Sequence, residues 1–240
     1  MRQSFTILIL IVFVTGLNGQ VKNTYQTGIS AEENLKAIAN LGALSIGGIG
    51  FDTRYKGVKG SPLLFDTLQF SYLKINQQDK YIEIQSNIDV VSNSIICLHP
   101  KTKQLISIPG YKINELIIRN EDTDMIFRTM SNDNLKMKSG EYIFYQVLND
   151  DAYKLIKVPS KDFIEADYKQ AYSPGRNYDE FVTEYKYYIL SPDGKINQCQ
   201  LSAKSVSKIF PDKKELIKKK SEEKTYTDKE LMVIDILKSF

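Results

Sequence analysis

The sequence predicts an α+β fold that is mainly β: an antiparallel meander, curled into a half-barrel or barrel, followed by a C-terminal helical segment. Three observations predict it. Between residues 63 and 201 apolar residues alternate with polar ones or gather in short runs rich in Ile, Val, Tyr and Phe, as in half-buried strands. The links between these runs are too short for crossover helices, so neighbouring strands run antiparallel. Beyond residue 202 the apolar spacing becomes helical, with capping residues ahead of each run.

The chain opens on Arg2 and an apolar run from Phe5 to Val14, relieved only by Thr6, and turns small and polar from Thr15 to Gln20. That is the layout of a secretory signal peptide over 1–19, with the cut expected after Gly19 and, as second choice, after Gln20. The run is about 10 residues long, whereas a bilayer span takes about 20. A membrane anchor or a buried helix is the competing reading. Removing 19 of the 240 residues leaves 221, with no further segment apolar enough to span a membrane. The expected location is therefore periplasmic or extracellular, with envelope association as a variant.

Residues 20–62 read as an N-terminal helix and a glycine-rich loop. Ser30 and Glu33 form a capping box ahead of Leu35, Ile38 and Leu41, and the helix should end near Gly42. Gly48-Ile49-Gly50 lacks the third glycine of a dinucleotide fingerprint and follows no strong strand. The β domain spans 63–201. Its candidate strands are 68–75, 80–85, 94–98, 104–108, 114–118, 125–129, 141–147, 153–158, 185–190 and 195–201. Ser191-Pro192-Asp193-Gly194 between the last two is a strong hairpin turn, because Pro presets the first turn position and Gly supplies the positive φ. A long Tyr-rich loop with some helix in it, 159–184, interrupts the pattern. In 202–240, Ser202 caps a helix holding Val206, Ile209 and Phe210 that stops at Pro211. Asp212 caps the next, and Thr227 with Glu230 boxes a last one bearing Leu231, Ile234 and Leu237.

Composition removes several chemistries. The chain has 32 basic and 29 acidic side chains, a net charge of +3, which gives no overall footprint for nucleic acid. His99 is the single histidine and precedes Pro100 in a turn, so no metal site and no histidine triad is expected. No cofactor motif is present. Ser71–Lys74 and Ser205–Lys208 match S-x-x-K, without the companion elements of the serine enzymes that use it. Glu121-Asp122-Thr123-Asp124 and Asp150-Asp151 read as hairpin tips, since the calcium loop pattern is missing. Lys213, Lys214, Lys218, Lys219 and Lys220 read as a solvated helix face, with contact to an acidic membrane surface as the sharper alternative. Cys97 and Cys199 either bridge, closing a loop of about 100 residues, or stay apart as small hydrophobes.

The most distinctive segment runs from Ala166 to Phe181. Tyr172 and Tyr178 offer rigid rings with polar tips, Arg176 a planar donor fork, and Asp179 a carboxylate, a set suited to recognition. The competing reading makes it a loop that packs its rings over the sheet, with Arg176 paired to Asp179 or Asp167.

Gly60-Ser61-Pro62-Leu63-Leu64-Phe65, the segment from Ala166 to Phe181, Tyr187–Gly194 and Phe210-Pro211-Asp212-Lys213-Lys214 together resemble a family of uncharacterised exported β-rich proteins of the bacterial envelope. The resemblance covers about residue 51 to the end. It implies an envelope or secreted location and a β-rich fold, and carries no reaction. The expected function is a non-catalytic binding or interaction module of the cell envelope, its partner or ligand unknown. A periplasmic carrier of an apolar ligand, marked by a wide Ile-lined cavity, and a carboxylate-dependent hydrolase, marked by paired inward acids in a cleft, are the alternatives.

Overall fold

The computed structural model describes residues 30–44, 48–49, 57–99, 102–120, 123–135, 142–166 and 178–240. The proposed signal peptide lies outside the described residues. Helix α1 (Ala31–Leu44) opens on the capping box: the Ser30 N–H donates to Glu33 Oε2 at 3.0 Å and the Glu33 N–H to Ser30 Oγ at 3.2 Å. Ile38 and Leu41 are its buried side, while Leu35 is 52 % exposed.

Eleven strands form one antiparallel sheet: β1 (Gly48–Ile49), β2 (Gln69–Ile75), β3 (Ile82–Asp89), β4 (Ser94–Leu98), β5 (Leu105–Pro109), β6 (Ile113–Ile118), β7 (Met125–Ser131), β8 (Tyr142–Val147), β9 (Lys154–Ile164), β10 (Glu180–Leu190) and β11 (Ile196–Cys199). The spatial order is β1-β5-β4-β3-β2-β6-β7-β8-β9-β10-β11. Two meanders thus meet where β2 pairs with β6, at Ser71 with Ile118 and Leu73 with Leu116. The sheet is not closed into a barrel; β1 and β11 are its two ends.

The sheet is nevertheless strongly curled, and chain length requires it. Only Gly110–Lys112 separate β5 from β6. Four Cα steps reach about 15 Å at most, whereas four strand spacings on a flat sheet come to roughly 19 Å. The ends of β5 and β6 therefore approach without pairing. Inside the curl lie Leu73, Ile88, Ile95, Ile108, Leu116 and Ile118, all fully buried, with Phe127 and Phe144 filling the centre.

On the same face, at the far end of the sheet, a helical layer covers Leu155, Ile189 and Cys199. It comprises α2 (Ala203–Ile209), α3 (Lys214–Glu222) and α4 (Lys229–Leu237). Ser202 caps α2 as expected, its side chain accepting from the Ser205 N–H. Two caps differ. Asp212 sits in a 3-10 turn, Pro211–Lys213, and α3 starts without a side-chain cap. Asp228, not Thr227, caps α4, accepting from the Glu230 N–H at 2.7 Å. Glu230 is drawn elsewhere: its Oε1 accepts from Lys157 Nζ at 2.9 Å and from the Tyr187 hydroxyl at 2.6 Å. The buried side of α4 is accordingly Val233, Ile236 and Leu237, and Leu231 is left 55 % exposed.

Candidate functional site

β9 and β10 form the longest hairpin, paired in unbroken register from Leu190–Lys154 to Glu180–Ile164. Its neighbours stop short. The ladder to β8 ends at Lys157, and the ladder to β11 covers only Tyr187–Leu190. Beyond Lys157 and Tyr187 the two strands therefore run on without β8 or β11 beside them, with the strap at Lys59 alongside β10 instead; the Tyr-rich segment 167–177 that joins them lies outside the described residues. The sequence predicts a loop with some helix over 159–184; instead 159–164 and 180–184 are strand, and Pro159 costs no hydrogen bond because it stands beyond the β8 ladder with its nitrogen on that side.

The outer end of the hairpin is braced twice. Asp179 Oδ1 accepts from the Ala166 N–H at 2.7 Å, closing the loop on itself. Lys59, far upstream in the chain, lies alongside β10: its N–H donates to Asp179 O at 2.9 Å, and its carbonyl accepts from the Phe181 N–H at 2.9 Å. The Lys59 ammonium reaches Glu180 Oε1 at 3.2 Å and the Tyr178 hydroxyl at 3.4 Å, and stands 5.2 Å from the Tyr178 ring centre. Glu180 and then Tyr178 raise the Lys59 pKa, so the clamp is cationic at any physiological pH. Gly60 makes room for it, since a Cβ there would stand 3.3 Å from Phe181 O. Of the four residues singled out for recognition, Tyr178 is 41 % exposed beside this clamp and Asp179 closes the loop. Tyr172 and Arg176 lie outside the described residues. Phe163, paired opposite Phe181, and Tyr185 leave further aromatic surface on the two strands, 43 % and 47 % exposed.

Other candidates resolve differently. Ser71 is fully buried and donates to Gln69 O, and Ser205 Oγ accepts from the Gln200 N–H, so neither serine of an S-x-x-K match is presented to a substrate. His99 Nδ1 accepts from the Thr102 N–H at 3.2 Å, a turn contact. Arg128 draws together Glu115 Oε2 at 2.7 Å and Asp150 Oδ2 at 2.8 Å, with Lys154 also bonded to Asp150. Both carboxylates of this cluster are thus ion-paired with Arg128. Arg128 foremost, then Lys154, holds the Asp150 carboxyl down to about 2. An ordinary carboxyl titrates near 3.9, so the stabilisation is present above about pH 4 and is lost as the pH falls towards 2. Thermal melts of Asp150→Asn should accordingly show a flatter acid-side decline than wild type, by a small margin because the pair is half-exposed. An identical decline in both proteins would contradict the pairing.

Cys97 and Cys199 are free, buried thiols in different clusters, Cys97 inside the curl and Cys199 beneath the helices. Burial pushes the Cys97 thiol up to about 12 and raises Cys199 as well. Neither presents a thiolate, so Ellman's reagent should find no reactive thiol in the native chain and both after denaturation. Rapid labelling of either in the native state would refute this.

The carrier reading requires a wide Ile-lined cavity. Among the described residues the Ile-lined interior also holds the buried rings of Phe127 and Phe144. A cavity of about 280 Å³ between α1 and the β2–β3 turn, lined among others by Lys36, Asn40, Leu41, Gln78 and Ile82, is open and partly polar. Among the described residues no helix is long and apolar enough to cross a membrane, and no group of acids, Cys and His gathers as for a metal. No family model, curated protein or solved structure matches the chain.

Proposed function

We propose that this chain is a non-catalytic binding module of the bacterial cell envelope, and that the tip of the β9–β10 hairpin is its recognition element. The observation that carries the reading is the braced hairpin end. Two paired strands run past their sheet neighbours and lead to a segment whose sequence is rich in Tyr. Its base is closed by Asp179 and clamped by Lys59, so its ordering cost is partly met before any partner arrives. Tyr178, Phe163 and Tyr185 supply exposed rings around it, and aromatic anchors dominate binding energy at interfaces. On the sequence alone, Tyr172 and Arg176 belong to the same proposed element.

Photo-crosslinking tests it. With a photoreactive residue in place of Tyr178, irradiated cells of the host should yield a discrete adduct. The same residue in place of Lys195, in the turn before β11, should not. Adding Arg176→Ala should abolish the adduct without moving the melting temperature. The reading fails if both positions give the same products, or if Arg176→Ala melts several degrees lower and the adduct persists. Export is part of the same proposal. The chain recovered from its host should begin at Gln20 by mass spectrometry, and an intact Met1 would overturn that.

A further inference from the structure

The charge of this molecule is segregated. Residues 203–222 hold seven Lys against Asp212, Glu215 and Glu222, while the other 220 residues hold 25 basic and 26 acidic side chains. One short stretch therefore carries the entire positive excess. It folds as α2 and α3, the outer helices over β9–β11, whose inward residues are Val206 and Ile217. Lys204, Lys208 and Lys219 each stand two positions from the inward residue of their helix, about 200° round the axis, and so point away from the sheet. Lys214 and Lys218 flank them. All five are exposed, and none takes part in an ion pair among the described residues, unlike Lys220 and Lys224, which bond Glu223 and Asp235.

We propose that this α2–α3 face docks on an anionic lipid surface. The composition of the face selects that partner over nucleic acid. No Arg follows Arg176 in the chain, so the face offers compact, hydrated point charges rather than the planar forks that pair with single phosphates or bases. Its aromatic residues are turned inward: Phe210, Phe240 and Tyr153 pack edge-to-face with centres 5.0–5.3 Å apart, leaving no stacking platform. A diffuse field of lipid headgroups matches clustered Lys, each contributing additively within a Debye length of about 8 Å. Docking here also leaves the outer end of the β9–β10 hairpin free: the helices reach Lys157 through Glu230, and Ile164, the last residue of β9, stands roughly 23 Å further along the strand. The inference stands independently of what the tip binds.

The test is vesicle co-sedimentation of the full chain as recovered from its host. Binding to phosphatidylcholine vesicles should be weak and should rise when phosphatidylglycerol is added, then fall steeply with NaCl. Lys204→Gln, Lys208→Gln and Lys219→Gln together should cut the anionic component at least about tenfold. Lys80→Gln, Lys103→Gln and Lys186→Gln, exposed elsewhere on the chain, change the net charge equally and should leave most of it. Equal binding to neutral and anionic vesicles overturns the proposal. So does an equal loss in both triple variants, or retention on duplex DNA at salt that strips the vesicles. Should the first variant melt early, the lipid and salt comparison on the unaltered chain still decides.

Discussion

Cutting Phe144 back to alanine is expected to lower the unfolding free energy by about 3–5 kcal/mol, which for a chain of this size lowers the melting temperature by roughly 6–20 °C. Phe144 is 1 % exposed and fills the curl where the two meanders meet. Its ring edge would stand 3.2 Å from a Cβ placed on Gly110, in the three-residue link between β5 and β6. That link is itself pinned, the Gly110 N–H donating to Asn93 O at 2.9 Å. The wall behind Phe144 is thus backbone, which cannot fold inward to fill the void, so the cost should fall in the upper half of the range. Phe144→Leu should recover about half. Tyr142→Ala, two residues earlier on β8 and 42 % exposed, should change stability by less than about 0.5 kcal/mol. Chemical denaturation of the three variants is the measurement. A Phe144→Ala variant no weaker than Tyr142→Ala would mean the interior is not filled as described.

The second large effect is expected at Asn87, a fully buried polar residue on β3. Its Oδ1 accepts from the Phe65 N–H at 3.2 Å and the Ile88 N–H at 2.8 Å. Its Nδ2 donates to Phe65 O at 2.7 Å and Thr67 O at 3.0 Å. One side chain thereby ties the strap from Lys59 to Thr67 onto the sheet, helped by Leu64 N–H to Ile88 O and Val90 N–H to Pro62 O. Asn87→Ala leaves several backbone groups without partners at about 1–3 kcal/mol for each that water cannot reach. Because the strap is half-exposed, a net loss of about 2–4 kcal/mol is expected. Asn87→Asp is the sharper variant. It keeps both acceptor contacts but loses both donors and buries a charge, so it should be at least as damaging as alanine at neutral pH. If Asp is tolerated, the strap is held by something else. The strap ends at the Lys59 clamp, so loss of Asn87 should also loosen the hairpin tip, read as faster amide exchange at Phe181.

Much of this architecture is legible in the sequence. The run Ser94–Leu98 is a strand end to end, and 125–129 and 141–147 differ from β7 and β8 only at their ends. The Ser30–Glu33 box and the Ser202 cap are formed as read, because each joins a side chain to a backbone N–H only three residues away. What was not legible depends on distant partners. Nothing local to Glu230 says that it prefers Lys157 and Tyr187 to its own helix start, and that preference rotates the buried side of α4 away from Leu231. The outer ends of β9 and β10 are not legible because Pro159, Asp162 and Glu184 carry loop-like signals and the exposed residues there, Asp162, Phe163, Thr183 and Glu184, do not alternate with buried ones. The candidate site shows the same division. Tyr178 and Asp179 stand out by composition, whereas Lys59 lies more than a hundred residues away and no spacing rule connects it to them.

The three-residue link between β5 and β6 also bears on how the molecule assembles. Every strand pair but two joins neighbours along the chain and can zip locally. β2 with β6 closes a much longer loop, Ser71 to Ile118, and β1 joins β5 from further still. Once β2 to β5 have formed a meander, the short link admits the β2–β6 pairing only if that meander is rolled, since only the rolled form brings the two strands within reach. Folding should therefore proceed by fast formation of two separate meanders and a slower docking step that unites them. Leu73 and Leu116, which face each other across the joint, should accordingly show φ-values near zero if docking follows the barrier, and near one if it is the barrier. Intermediate values shared with the hairpins of either meander would instead mean that the chain condenses as one body.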